Sequence, residues 1–281
     1  MNDPLNIGFS PCPNDTFIFD ALINKKIDLG GIEYQPFIRD VEELNRNAFS
    51  SVLPVTKLSF HAYAPVANDD YLLRSGGALG RGCGPILIAN DIDILSKKEL
   101  KDLAVAIPGK FTTANFLLSM AYPDLLNKKE MIFSDVESAV LNGTVDLGLI
   151  IHENRFTYEA RDLKKIRDLG EFWEQTTGDP IPLGAIVISR HLPPDIIKQV
   201  QHSLKESVEF ALREPGSSKE YVKKYSQELD DKVIESHIEL YVNQFSVDIG
   251  EEGERAIRSL YRIAEEREVI SNMRSDIFVE N

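Results

Sequence analysis

An α/β fold divided into two lobes is predicted, and three features of the sequence predict it. The chain has 281 residues, more than a single core usually organises and suited to two lobes of ordinary size. Short apolar runs alternate with helix-period segments as far as residue 188, the pattern of a mostly parallel sheet with crossover helices. Beyond Pro194 the period turns helical, with Ile197, Val200, Leu204, Val208 and Ala211 forming one stripe.

Residues 5–9 read as a short buried strand that Ser10, Pro11, Cys12 and Pro13 interrupt, after which Asn14 or Asp15 caps a helix carrying Phe17, Ile18, Ala21 and Leu22. A helix over 41–49 and an extended run over 52–55 follow. Lys57 and Ser59 then precede an apolar segment that Ser59 is placed to cap. Strands at 71–74 and 85–89 bracket five glycines, Gly76, Gly77, Gly80, Gly82 and Gly84, which suit a tight turn or a crossing between lobes. A second strand, loop and helix unit has residues 103–107 extended, Pro108 and Gly109 as breakers, and 112–121 helical. Residues 131–133 extended, 135–141 helical and 147–151 extended continue the alternation, and 181–188 adds a strand. Helices over 233–242 and 254–268 complete a helical C-terminal third. Residues 1–89 with 184–281 are assigned to a larger, discontinuous lobe and 90–183 to a smaller one, with crossings at the glycine cluster and at 180–184. This is the organisation of a type II periplasmic-binding-protein-like fold, in which the ligand cleft lies between the lobes.

Composition narrows the partners. With 31 basic and 45 acidic residues the formal charge is -14, which repels nucleic acid and anionic membrane surfaces but permits a locally positive cleft for a small anion. Two cysteines, Cys12 and Cys83, cannot make a disulfide framework and match no metal spacing, so a reducing compartment is expected. The first residues lack a basic start and an apolar stretch, and no apolar run approaches the ~18 residues of a span, so the expected location is the cytoplasm. The sequence leaves monomer and homodimer equally open.

Several residues are candidates for chemistry. The turn Ser10-Pro11-Cys12-Pro13-Asn14-Asp15 follows the first strand, where ligands approach open α/β sheets, although a rigid capped turn explains it as well. Cys12 lacks a cysteine-enzyme signature. The glycine cluster fits neither G-x-x-x-x-G-K-[ST] nor G-x-G-x-x-G, so a hinge is preferred to a phosphate loop. Thr112-Thr113 and Lys57 with Ser59 sit at predicted helix starts, where hydroxyls and N–H groups suit a carboxylate. His152 ends the apolar strand over 147–151 at the edge that meets ligands, and neutral imidazole accepts protons near neutral pH; a structural histidine fits the same position. Glu153 is expected on the opposite strand face. His61, His191, His202 and His237 are weaker candidates, there is no H-E-x-x-H, and Trp173 is read as packing.

F-S-P-C-P-N-D-T-F-I-F at 9–19, T-K-L-S at 56–59, S-G-G-A-L-G-R-G at 75–82, T-T-A at 112–114, G-L-I-I-H-E-N-R-F-T-Y at 148–158 and G-E-E-G-E-R-A at 250–256 occur in this order over nearly the whole chain. Together they resemble the 1,4-dihydroxy-6-naphthoate synthase family of the futalosine route to menaquinone. The resemblance implies a cytoplasmic lyase that cleaves a carbon–carbon bond of cyclic dehypoxanthine futalosine, with no metal or organic cofactor. It also implies His152 as proton acceptor, with Lys57, Leu58, Ser59, Thr113 and Ala114 contacting a small anionic substrate. Contacts from Cys12, Asn14, Asp15 and Arg155 stay open. Two other functions suit the same fold: a solute-binding module for a small anion, and the chorismate dehydratase of the same superfamily.

Overall fold

The opening Leu-Asn-Ile-Gly-Phe forms β1 (Leu5–Phe9), with Ile7 and Phe9 fully buried, in a computed structural model that describes residues 3–227 and 230–280. Pro13 occupies the first position of α1 (Pro13–Ile23), where its fixed φ suits helix entry and its missing N–H costs no bond. The cap is Cys12, in extended backbone, and not Asn14 or Asp15; Asp15 lies in the first turn. All positions from Pro13 to Leu22 are buried, so α1 is a core helix. There follow β2 (Tyr34–Ile38), α2 (Val41–Ala48), β3 (Val55–Ser59), α3 (Phe60–Tyr63), β4 (Asp70–Leu72) and β5 (Ala78–Gly80). The middle of the chain carries β6 (Ile86–Ala89), α4 (Ile94–Lys97), β7 (Ala104–Ile107), α5 (Thr113–Ala121) and β8 (Asn127–Glu130). It continues with α6 (Val136–Leu141), β9 (Leu147–Ile150), α7 (Asn154–Thr157), β10 (Lys164–Asp168) and α8 (Leu169–Thr177). The long β11 (Ile181–Ser189) leads to α9 (Pro194–Arg213), α10 (Lys219–Tyr225), α11 (Asp231–Tyr241), α12 (Gln244–Val247) and α13 (Gly250–Glu266).

Two compact units emerge, Met1–Gly80 with Pro182–Asn281, and Arg81–Ile181. The first boundary falls after Gly80 and not after residue 89, because β6 pairs with β9 and β10 and so belongs to the second unit. In the first unit a six-stranded sheet has the order β2-β1-β3-β11-β4, with β5 also paired to β11. β1 runs parallel to β2 and β3, whereas β11 is antiparallel to β3 and β4. The second unit has the order β10-β6-β9-β7-β8, in which β7 is parallel to β8 and β9 while β6 is antiparallel to β9 and β10. Both sheets are therefore mixed, which corrects the mostly parallel expectation.

Each unit buries its own core. In the first, Ile7, Phe9, Phe17, Ile186 and Ile188 pack with Val200, Leu204 and Val208 of α9, and the rings of Phe9 and Phe19 stack at 4.4 Å. Ser207 of α9 ties that helix to α1: its hydroxyl donates to Ile18 O at 2.6 Å and accepts from Leu22 N–H at 3.0 Å. In the second, Ile86, Ile88 and Ile150 of the sheet pack against Val136 and Val140 of α6. The tail covers one edge of the first sheet, as Leu72 N–H donates to Ile277 O at 2.7 Å and Val279 N–H to Leu72 O at 3.0 Å. Two expected strands are displaced. The run over 52–55 becomes β3 beginning at Val55, and the run over 131–133 is replaced by β8 at Asn127–Glu130, with Phe133 in a 3₁₀ turn. Among the described residues no helix is long and apolar enough to cross a membrane.

Candidate functional site

In the first unit β1 and β3 are parallel neighbours, with Gly8 opposite Thr56, so the turn after Phe9 and the end of β3 lie at one carboxyl edge. Every residue of β3 is buried. An ammonium group there needs an anion, and Lys57 Nζ finds Asp15 Oδ1 at 2.5 Å, the two side chains being 6% and 1% exposed. The same Asp15 oxygen accepts from Asn14 Nδ2 at 2.9 Å, while Oδ2 accepts from Ser10 N–H at 3.1 Å and Ser10 Oγ at 2.7 Å. Two donors on each oxygen fill the capacity of an ionised carboxylate. Gly184, opposite Ser59 on β11, makes room for the lysine stem: a Cβ there would come within 3.0 Å of Lys57 Cε.

Ser59 is held from α2. Its N–H donates to Asn45 Oδ1 at 2.8 Å, and its hydroxyl accepts from Asn45 Nδ2 at 3.2 Å. Lys57, Leu58 and Ser59 are thus the last three residues of a central strand. The predicted helix start is corrected, since α3 is a single turn and Ser59 makes no side-chain cap bond to it. His237, ranked among the weaker candidates from the sequence, is a fully buried residue of α11 whose Nε2 lies 2.9 Å from Asn14 Oδ1. The legible signal was its place in the stripe Ile234, His237, Ile238 and Tyr241, where a polar group would need a partner.

The second unit holds the other predicted residues. Thr112 caps α5, accepting from Asn115 N–H at 3.2 Å, and the buried Thr113 and Ala114 open the helix. β7 and β9 run parallel as neighbours, so the start of α5 and the turn carrying His152 leave the same edge of this sheet. His152 lies two residues beyond β9 with φ +57°, in the left-handed region, and its ring meets that of Phe133 edge-on at 4.9 Å. Glu153 is not on an opposite strand face: it is buried in the turn, with a carboxylate oxygen within 4.8 Å of a His152 ring nitrogen. Strand alternation stops at Ile150, which removes the basis of that expectation.

Arg155 fixes this turn. Its Nη1 donates to Gly84 O at 2.5 Å and its Nη2 to Asp168 Oδ2 at 2.7 Å, while Asp168 Oδ1 caps α8 by accepting from Gly170 N–H at 2.8 Å and Glu171 N–H at 3.2 Å. Gly84 and Gly170 pass so close that a Cβ on Gly84 would fall 2.2 Å from Gly170 N. Burial pushes the Cys83 thiol up to about 12, which keeps it protonated and unreactive at neutral pH. Trp173 is fully buried and donates to Pro180 O at 3.1 Å within its own unit. His191 and His202 are exposed.

A family model for menaquinone biosynthesis matches residues 5–266. The chain belongs to that family. The chain is 44% identical over 277 residues to a 1,4-dihydroxy-6-naphthoate synthase of Thermus thermophilus, covering 99% of this chain and 100% of the relative. A second 1,4-dihydroxy-6-naphthoate synthase, from Streptomyces coelicolor, is 41% identical over 263 residues, 92% of each chain. A solved protein of Archaeoglobus fulgidus superposes with a TM-score of 0.89 at 34% identity, covering 95% of this chain and 98% of the other. The aliphatic sulphonate binding protein of Escherichia coli superposes with a TM-score of 0.64 at 13% identity, which shows the fold alone. This member of the menaquinone biosynthesis family therefore has the periplasmic-binding-protein-like fold, and its relatives mark it as an enzyme.

Proposed function

We propose that the chain is a carbon–carbon lyase that converts cyclic dehypoxanthine futalosine into 1,4-dihydroxy-6-naphthoate. The observation that carries this reading is the end-to-end similarity to two synthases of that product, at 44% and 41% identity. His152 is the proton acceptor in the proposal. It stands at the carboxyl edge of its sheet, near the buried Glu153 carboxylate and edge-on to the Phe133 ring. Neutral imidazole is the side chain best suited to accept a proton near neutral pH. The electron pair freed by deprotonation forms a new double bond as the carbon–carbon bond breaks, and the pair of the broken bond passes into a conjugated ring carbonyl of the substrate, which takes up a proton and becomes a hydroxyl of the aromatic product. The electron sink lies within the substrate, so no organic cofactor or metal is assigned.

Lys57, Leu58 and Ser59 at the end of β3, and Thr113 and Ala114 at the start of α5, are assigned to substrate binding. Lys57 supplies the positive charge that an overall acidic protein needs for an anionic ligand. Ser59 already accepts from Asn45, so its own proton suits an acceptor on the ligand. The cytoplasm is the proposed compartment, in keeping with two cysteines too few for a disulfide framework. Incubation with cyclic dehypoxanthine futalosine, followed by mass spectrometry, is expected to show its consumption and the appearance of the dihydroxynaphthoate. Recovery of unchanged spirocycle would refute the lyase, and turnover of chorismate in its place would move the chain to the dehydratase branch.

A further inference from the structure

We infer that His237 is a positioning residue for Lys57, acting through Asn14 and Asp15. The inference builds on the assignment of Lys57 to substrate binding. Asp15 offers only acceptor oxygens to Ser10, Asn14 and Lys57, so the Asn14 amide must turn its NH2 toward that carboxylate. The Asn14 carbonyl then faces His237, 2.9 Å from Nε2. A carbonyl accepts and cannot donate, so the His237 proton is on Nε2 and the tautomer is fixed. Donors therefore run in one direction from the C-terminal helices to the sheet edge: His237 Nε2–H to Asn14, Asn14 N–H to Asp15, and Lys57 N–H to Asp15.

Each link is buried, His237 completely and Asn14, Asp15 and Lys57 nearly so. An unpartnered polar group is costly at such sites, and a reversed Asn14 amide would set its carbonyl oxygen against the Asp15 carboxylate. His237 holds the amide in the productive sense, which keeps Asp15 fully bonded and the Lys57 ammonium in one place. The position on α11 also explains the histidine chemically, since a leucine of similar bulk would fill the stripe but give Asn14 no proton.

The test compares His237→Leu with His237→Gln in the full chain. Glutamine can present an amide N–H near the place of Nε2; leucine keeps bulk and removes the donor. His237→Leu is expected to raise KM for the spirocycle about tenfold with kcat changed less than about threefold, and His237→Gln to recover most of that loss. A second readout needs no substrate: acetylation of Lys57 by acetic anhydride, followed by peptide mass spectrometry, should speed up about fivefold in the leucine variant and return toward wild type with glutamine. Wild-type KM and wild-type labelling in His237→Leu would overturn the inference, as would a glutamine variant as impaired as leucine. Labelling in the expected order, in a protein inert to the spirocycle, would uphold the positioning of Lys57 and refute the substrate assignment instead. If His237→Leu does not fold, nitrogen-15 NMR of the wild-type imidazole decides: an Nε2-protonated His237 is required, and an Nδ1-protonated one excludes the relay.

Discussion

His152 combines a proposed chemical role with an unusual backbone. A φ of +57° lies in the left-handed region, which few residues other than glycine adopt, asparagine, aspartate and histidine most readily. This choice of conformation makes His152→Asn an informative variant, because asparagine tolerates the left-handed region while removing the base. Loss of a general base typically costs about 10² to 10⁴ in rate, so kcat should fall by that much with an unchanged circular dichroism spectrum and unchanged product affinity. A folded variant that turns over within about threefold of wild type would move the base elsewhere. Ser59→Ala and Thr113→Ala should each weaken product binding by about 1 to 3 kcal/mol, the scale of a hydrogen bond to a charged group, as read by calorimetry. Unchanged affinity in both would remove these residues from the binding set. The place of His152 at the end of an apolar run could be read from the sequence, whereas the partner of His237 could not, because Asn14 lies 223 residues away. Only the packing of α11 brings the two together.

At the scale of elements, three of the strands that the sequence concealed share one property. β2 contains Pro36, β8 reads Asn-Lys-Lys-Glu and β10 reads Lys-Lys-Ile-Arg-Asp, and all three are sheet edges. Edges tolerate proline and gather charge because one side faces no neighbour, so they lack the apolar run that reveals β1, β7 and β9. The displaced β3 has another cause: Lys57 and Ser59 looked like the start of a helix and are the buried end of the strand. The link from α7 to α8 depends on Arg155, whose guanidinium serves two acceptors on different elements. Arg155→Met leaves the buried Asp168 without its cation and should lower stability by about 3 kcal/mol in urea titration. Lysine should restore little of this, since one ammonium does not reproduce the fork; a loss under about 1 kcal/mol would show that the turn is held by other means.

A pH effect belongs to β4. Burial pushes the Asp70 carboxyl up to about 6 from its ordinary 3.8, with the Asp69 charge adding to the rise and Arg190 and His191 opposing it. The folded chain then keeps a proton that the unfolded chain has released. The contribution of Asp70 to stability is therefore complete below about pH 4 and is lost as pH rises toward 6. Asp70→Asn should flatten the thermal midpoint across that window relative to wild type. Parallel curves for the two proteins would show that Asp70 does not titrate there.

For the whole molecule, the decisive feature is that Arg81–Ile181 interrupts the other unit between two paired strands, β5 and β11. The interrupting segment has a complete five-stranded sheet and its own core around Ile86, Val136, Val140 and Ile150. Expressed alone, residues 81–181 are expected to unfold cooperatively in urea and to give dispersed amide resonances. A non-cooperative transition would mean that this core is insufficient by itself. The fold class was legible because apolar strands and amphipathic helices alternate locally. The antiparallel direction of β11 was not, because it depends on how a strand returns after a hundred intervening residues.

That return also sets an order of events on the ribosome. β3 pairs with β1 on one side, but obtains its second neighbour only when Gly184 to Ile188 have been synthesised, since Ser59 pairs with Gly184 and Val55 with Ile188. The interrupting segment has all its strands once Asp168 has emerged, before any of β11 exists. The first strands made are therefore among the last to have their sheet completed. Until then the β11 side of the apolar β3 has unpaired backbone, the condition in which nascent chains recruit chaperones or associate with one another.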